Sequence, residues 1–233
     1  MQITNSTTLT EILSQSTFDF TDCQLRQFEL YYRLLLEWNA KINLTTLTTP
    51  AEVGIKHILD SLLALPNTAS GRIIDVGTGL GMPGLAFKIY RPDLEITLLD
   101  SLQKRLRFLE VVIAELGLSG ITLQHGRAED LEPSERESYD LATARAVAGL
   151  NVLSEYLLPY VKVGGEMLAL KGSQGLDEVN AAKSAIKVLG GGKIWTEEFE
   201  LPLYKEKRVV VRVEKAKPTP KKYPRRNIKK NPL

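Results

Sequence analysis

Arg72-Ile-Ile-Asp75-Val-Gly77-Thr-Gly79-Leu-Gly81-Met82-Pro83-Gly84 is the stretch on which the reading of this chain turns. Residues 73–76 have the short, continuous apolar character of a buried strand. Three alternating glycines then supply unusual dihedrals and close approach of the backbone to a ligand. Pro83 has the fixed φ suited to a first helical turn, and residues 85–89 continue as a helix. Strand, glycine loop and helix in that order open a parallel α/β sheet, which binds ligands at the carboxyl ends of its strands.

Outward from that loop the alternation continues. Residues 95–99 read as a second strand ending at Asp100, followed by a helix with Leu106, Leu109, Ile113 and Leu116 on one face and Gly117 as its stop. Residues 121–124, 141–143 and 167–170 are further strands, separated by helices near 149–158 and 176–189. The close is different. Residues 193–201 and 207–213 are strands joined by a short Pro-containing connection with no room for a helix, which predicts an antiparallel hairpin. Upstream, Thr21 and Gln24 make a capping box, and Leu25, Phe28, Tyr32, Leu35 and Trp38 repeat at helical spacing. A second helix is expected over 50–65. The chain thus divides into a helical extension (1–66), a Rossmann-like sheet domain (67–214) and a basic, Pro-rich tail (215–233).

Composition narrows the class. With 233 residues, 43% hydrophobic and 25% charged, the chain suits one good-sized soluble core. No run reaches the roughly 18 apolar residues of a membrane span, and residues 1–20 lack the pattern of a secretory leader. The single cysteine, Cys23, is expected in the core of the amino-terminal helix and fits a reducing cytoplasm. One cysteine and two histidines argue against a zinc site, so no metal is expected. The net charge of +2 hides an asymmetry. Residues 215–233 carry eight of the 30 basic side chains and no acid, leaving 22 bases against 28 acids on residues 1–214, a net of −6. Such a tail either binds a polyanion or is a solvated terminus, and nucleic acid is the favoured partner over membrane. It is expected to run extended outside the core.

Two cofactors compete for the glycine loop. Residues 79–84 match the dinucleotide pattern G-x-G-x-x-G, with Asp100 as the following acid. The loop also resembles the D-x-G-x-G-x-G of methyltransferases that use S-adenosyl-L-methionine, here Asp75, Gly77, Gly79 and Gly81. A carboxylate at Asp75 repels pyrophosphate and suits the cationic sulfonium and amino group of that donor. The terminal hairpin points the same way. In such enzymes the turn after the third strand, here His125-Gly-Arg-Ala128-Glu129-Asp130, meets the adenine. The turn after the fourth, here Thr143-Ala-Arg145-Ala-Val147, lies beside the methyl acceptor.

Absences limit the acceptor. No D/N-P-P-Y motif follows the fourth strand to hold an exocyclic amine, and no cysteine in the sheet region offers a nucleophile for pyrimidine C5. Guanine N7 needs neither, because its ring lone pair attacks without losing a proton. Catalysis is then alignment plus electrostatics. His57, Asp60 and Ser61 do not make a hydrolase triad, since no G-x-S-x-G elbow accompanies them and one helical turn cannot form the relay. Capping and packing against the sheet is their expected role. Lys171 either contacts RNA phosphate or closes a strand.

In order along the chain, Trp38-Asn39 with Asn43-Leu-Thr45, His57-x-x-Asp60-Ser61, Asp75-Val-Gly-Thr-Gly-x-Gly-x-Pro-Gly84 and Leu98-Leu-Asp-Ser101 before Lys104-Arg105 resemble the glucose-inhibited division protein B family. Ala144-Arg-Ala146, Leu170-Lys-Gly172 and Lys221-Lys-Tyr-Pro-Arg-Arg226 continue the match. That family comprises small-subunit ribosomal RNA guanine-N7 methyltransferases. The resemblance implies a class I methyltransferase fold, S-adenosyl-L-methionine as donor, and guanine 527 of 16S rRNA, free or in a subunit precursor, as acceptor. It implies donor contacts at Gly77, Met82, Ala128, Glu129 and Arg145, with Asp100, Ser101 and Leu102 on the ribose side. RNA contacts are expected from Lys171, Lys221, Lys222, Arg225, Arg226, Lys229 and Lys230. No stable protein partner is expected. Met82 stands where Phe or Leu is usual, and the usual Gly-x-Pro turn after Arg226 is missing. Methylation of another nucleic acid or a protein, or a non-catalytic RNA-binding scaffold, are the competing functions.

Overall fold

A computed structural model describes residues 7–145, 147–226, 228, 232 and 233. Seven strands form one sheet: β1 (Arg72–Val76), β2 (Glu95–Asp100), β3 (Ile121–His125), β4 (Tyr139–Arg145), β5 (Val161–Lys171), β6 (Gly191–Glu200) and β7 (Lys207–Lys215). Their spatial order is β3-β2-β1-β4-β5-β7-β6. The first five pair in parallel, and β7 pairs antiparallel with both β5 and β6. The hairpin expected from the missing crossover helix is there. Strand order reverses between β1 and β4, and a cleft at such a switch point is where open α/β sheets bind ligands.

Helices α5 (Gly84–Tyr90) and α6 (Gln103–Glu115) cover one face, and α7 (Leu150–Leu157) and α8 (Gly175–Val188) the other. Before β1 come α1 (Leu9–Ser14), α2 (Asp22–Ile42) and α3 (Pro50–Glu52). Chain direction then passes through a π-helix (Val53–Leu59) into α4 (Asp60–Leu63), so the single helix expected over 50–65 is interrupted. The capping box of α2 forms as expected. Its Gln24 also donates to the carbonyls of Ile89 and Tyr90, ending α5, while Gln27 donates to Leu116 O at the end of α6. These side chains satisfy carbonyls that a helix end leaves orphaned.

The amino-terminal helices share one apolar core with α5 and α6: Leu9, Phe28, Tyr31, Leu35 and Ile55 pack with Leu85, Phe87 and Phe108. The buried stripe of α2 runs through Tyr31; Tyr32 sits at the edge, donating its hydroxyl to Thr48 O. Cys23, expected in that core, is exposed, because it lies in the first turn of α2 away from the stripe. Pro83 stands one residue before α5 and not within its first turn.

The tail, expected to run extended outside the core, is docked against the domain instead. Lys215 is still in β7 and fully buried, and Thr219, Tyr223 and Ile228 are buried as well. Arg136 donates to the carbonyls of Tyr223 (2.8 Å), Thr219 (2.8 Å) and Pro220 (3.2 Å). Side-chain partners far away in sequence pull a segment of tail composition onto the domain.

Candidate active site

Gly77, Gly79 and Gly81 all hold positive φ, at 72°, 62° and 96°. At Gly79 this turns the N–H toward Asp100, whose Oδ2 accepts it at 2.9 Å. A side chain there is strained by the left-handed backbone. Gly84 is required for another reason: a Cβ there meets Leu98 Cδ2 at 2.5 Å. Its N–H instead reaches Asp75 Oδ2 at 2.9 Å, beside the Thr78 hydroxyl at 2.7 Å. Asp75 is fully buried, its Oδ1 has no hydrogen-bond partner, and burial raises its pKa to about 6 against the pull of those two donors.

Asp100 closes the second strand with both oxygens in use. Its Oδ1 accepts from Leu102 N at 2.9 Å, and its Oδ2 from Gly79 N and from Arg105 Nη1 at 3.2 Å. A carboxylate offers about four lone-pair sites, so one remains on Oδ1 for a hydroxyl. Leu102 contributes its backbone; its side chain stands 42% exposed.

Two cavities meet along this edge. The first, about 290 Å³, is lined by Val76, Gly77, Leu99, Asp100, Ser101, Ala128, Glu129 and Tyr156, with Arg226 and Ile228 at its outer side. The second, about 420 Å³, shares Gly77, Asp100, Ser101 and Val147 and adds Gly79, Met82, Arg105 and Arg145. Of the sequence-assigned donor contacts, Gly77, Gly79, Met82, Asp100, Ser101, Ala128, Glu129 and Arg145 therefore line one continuous trough. Asp75, Gly81 and Leu102 do not line it; Asp75 and Gly81 shape the glycine loop.

The trough fits S-adenosyl-L-methionine better than a dinucleotide. In dinucleotide folds the pyrophosphate takes free N–H groups at the loop and the following helix. Here the Gly84 N–H is already taken by Asp75 and the Gly79 N–H by Asp100. Incoming phosphates therefore meet amides that are already occupied, with the Asp100 carboxylate at the trough's edge.

A third cavity, about 540 Å³, lies beyond Arg145 and is lined by Leu47, Lys56, His57, Asp60, Leu170, Lys171, Gly172, Glu178, Glu206 and Arg208. Arg145 lines both the trough and this cleft. It donates to Lys56 O at 2.9 Å and to His57 Nδ1 at 3.1 Å, and lies 3.6 Å from Asp60. Asp60 also pairs with Arg208 at 3.2 Å, and Glu206 pairs with Lys56 at 2.5 Å and Arg208 at 2.8 Å. Burial and the Arg145 charge hold His57 near pKa 3, so the imidazole is neutral. His57 and Asp60 thus pack the junction of helices and sheet, with Ser61 donating to His57 O at 2.6 Å.

Two residues assigned to RNA are committed elsewhere. Lys171, 9% exposed, donates to Ala148 O at 2.8 Å and pairs with Glu178 at 2.7 Å, closing β5 onto the α7–α8 layer. Arg225 turns its fork inward onto Glu155 rather than outward to phosphate. Lys221, Lys222 and Arg226 are exposed, whereas Lys229 and Lys230 lie outside the described residues. Sequence reasoning missed Lys56, Glu206 and Arg208, which come together only where the start of β7 meets the π-helix.

The GidB family model, described as rRNA small subunit methyltransferase G, matches residues 24–207. The chain belongs to this family. The relatives agree: a protein of Lactobacillus delbrueckii subsp. bulgaricus named ribosomal RNA small subunit methyltransferase G is 49% identical, covering 92% of this chain and 93% of its own. Another with the same name, from Alkaliphilus metalliredigens, is 48% identical over 90% of each chain. Among solved structures, a predicted O-methyltransferase from Agrobacterium tumefaciens aligns with TM-score 0.56 at 17% identity, over 69% of this chain and 80% of its own, a likeness of fold. Family membership joins the geometry at the glycine loop and Arg145, which the matched span contains.

Proposed function

We propose that this member of the family transfers the methyl group of S-adenosyl-L-methionine to N7 of a guanine in 16S rRNA, at position 527 by the family resemblance. The observation that carries the reading is the position of Arg145, the wall shared by the donor trough and the polar cleft. A methyl group crosses only where donor and acceptor meet, and Arg145 marks that meeting point. Bound in the trough, the donor supplies an electrophilic methyl on a sulfonium, and transfer leaves its thioether while the positive charge passes to the methylated purine.

The chain's own residues do the positioning. Gly77 and Gly79 let the backbone approach the donor, and Asp100 takes a ribose hydroxyl on its open lone pair. Ala128 and Glu129 flank the base. On the acceptor side Lys56, Glu206 and Arg208 pair with one another at the cleft, and exchange of those pairs for a guanine sets donors on O6 and the carboxylate on its Watson–Crick N–H groups. No side chain is asked to take a proton. His57 is the one histidine in the cleft, and both its nitrogens are engaged, Nδ1 by Arg145 and Nε2 by Thr45 at 3.1 Å. A lone-pair nucleophile suits a cleft whose one histidine is already engaged on both nitrogens.

Lys221, Lys222 and Arg226 are among the exposed cations of the described C-terminal segment, and RNA phosphate is proposed to rest on them, with the small-subunit precursor in the cytoplasm as the proposed setting. The test is direct. Purified protein, labelled donor and 16S rRNA lacking the modification are incubated, and the RNA is digested to nucleosides. Label in 7-methylguanosine supports the reading; label in a ribose-methylated or exocyclic-amine product overturns it.

A further inference from the structure

Beyond β7 the chain is basic enough to read as a solvated arm, yet its course is fixed at three points. Glu137 Oε1 accepts from Thr219 N at 2.6 Å and pairs with Lys215 at 3.2 Å, and Thr219 donates its hydroxyl to Leu189 O. Arg136 holds the backbone between residues 219 and 223 through the three carbonyls already described. Glu155 on α7, 0% exposed, then takes Arg225 by three donors: backbone N at 2.8 Å, Nε at 2.8 Å and Nη2 at 2.6 Å. A buried carboxylate stripped of its partner is strongly penalised, so this contact is not optional. Immediately past it, Arg226 and Ile228 reach the cavity that Asp100, Ala128 and Glu129 line. Ile228, 2% exposed, belongs to the same apolar cluster as Val76, Leu99, Ala128 and Tyr156.

We infer that Arg226 and Ile228 form the outer wall of the nucleoside half of the donor trough, with Ile228 against the base and the Arg225–Glu155 pair as the latch that holds them. The inference rests on the methyl-donor reading of that trough. A purine in the trough meets apolar surface from Val76, Leu99, Val147 and Tyr156. Ile228 adds apolar surface from the segment beyond β7. Ile228 is then a binding residue, Arg225 and Glu155 are positioning residues, and one segment serves two ligands: its Ile228 side chain the donor, and its outward lysines the RNA.

Calorimetry on the full chain separates these roles, with adenosylhomocysteine and adenosine as probes. Ile228→Ala should weaken both by about tenfold, equivalent to about 1.4 kcal/mol, and by the same factor, because the contact is to the half they share. Arg225→Gln should weaken both and raise hydrogen exchange at residues 219–226, with partial recovery in Arg225→Lys, which keeps the charge but not the fork. A purely structural role lowers the melting temperature without changing the Kd of the protein that stays folded. Wild-type binding with unchanged Kd in Ile228→Ala overturns the inference alone. Absence of adenosylhomocysteine binding in the wild type overturns the donor reading, and the inference with it.

Discussion

Nη2 of Arg145 lies 3.1 Å from Nδ1 of His57, and because a guanidinium only donates, that contact makes Nδ1 an acceptor and places the imidazole proton on Nε2. Nε2–H then donates to the Thr45 hydroxyl, which in turn accepts from Leu47 N at 3.0 Å. The end of β4 is thereby tied to the π-helix and to the loop before it. Single-turn π segments often mark functional sites, and this one presents the carbonyl of Lys56 to Arg145.

Arg145 is therefore a structural residue as well as a wall of the site. Its removal leaves Asp60 short of one of its two arginines in a buried setting. We expect Arg145→Ala to cost about 3–5 kcal/mol, and to lower the melting temperature by roughly 10 °C. Calorimetric melting checks it, and an unchanged Tm means the network is not holding the helices to the sheet.

The neutral His57 predicts a pH dependence of stability. Its folded pKa of about 3 lies below the ordinary 6.5, so the unfolded chain takes up a proton that the folded chain refuses. Its contribution is complete above pH 6.5 and is lost progressively as pH falls toward 3. Asp75 works in the opposite sense: with a folded pKa of about 6 against an ordinary 3.8, its cost is present above pH 6 and relieved on acidification. His57→Gln isolates the first. Between pH 7 and pH 5 the wild type should lose up to about 2 kcal/mol relative to the variant. Urea titrations at the two pH values decide it, a constant difference meaning that His57 protonates in place.

Asp75 both shapes the loop and carries charge, and Asp75→Asn separates the two. The asparagine oxygen still accepts from Thr78 and Gly84, while its amide replaces the unpartnered Oδ1. If the charge favours a cationic donor, affinity for adenosylmethionine falls several-fold relative to adenosylhomocysteine, whose sulfur is neutral. Equal affinities for both, unchanged from the wild type, restrict Asp75 to capping α5.

The RNA contacts are expected from exposed cations alone. Lys221→Glu with Lys222→Glu should flatten the slope of log affinity against log salt by about 1.4, at roughly 0.7 per single-strand phosphate. Filter binding between low and moderate salt measures it, and an unaltered slope moves the RNA to another face.

Much of this was legible in residues 72–84, because a buried strand running into alternating glycines admits few backbones, and the terminal hairpin followed from the lack of room for a helix. The tail was not legible. Tyr223 and Ile228 are isolated apolar residues without periodicity, and their anchors, Arg136 and Glu155, lie 70 to 87 residues away in sequence. Composition reported charge and missed topology. Lys56, Glu206 and Arg208 escaped for the same reason, since β7 and the π-helix meet only in the folded chain. Cys23 was misplaced because helical membership was read as burial, whereas the stripe through Phe28, Tyr31 and Leu35 decides which side is covered.

The account stands most directly on where the methyl group goes. 16S rRNA from cells with and without the gene can be reduced and cleaved with aniline, which breaks the chain at 7-methylguanosine, and the ends mapped by primer extension. The account predicts one cleavage, at guanine 527, present with the gene, absent without it, and restored by the wild-type protein. An identical cleavage pattern in both RNAs, or a gene-dependent methyl group on any atom other than guanine N7, contradicts it.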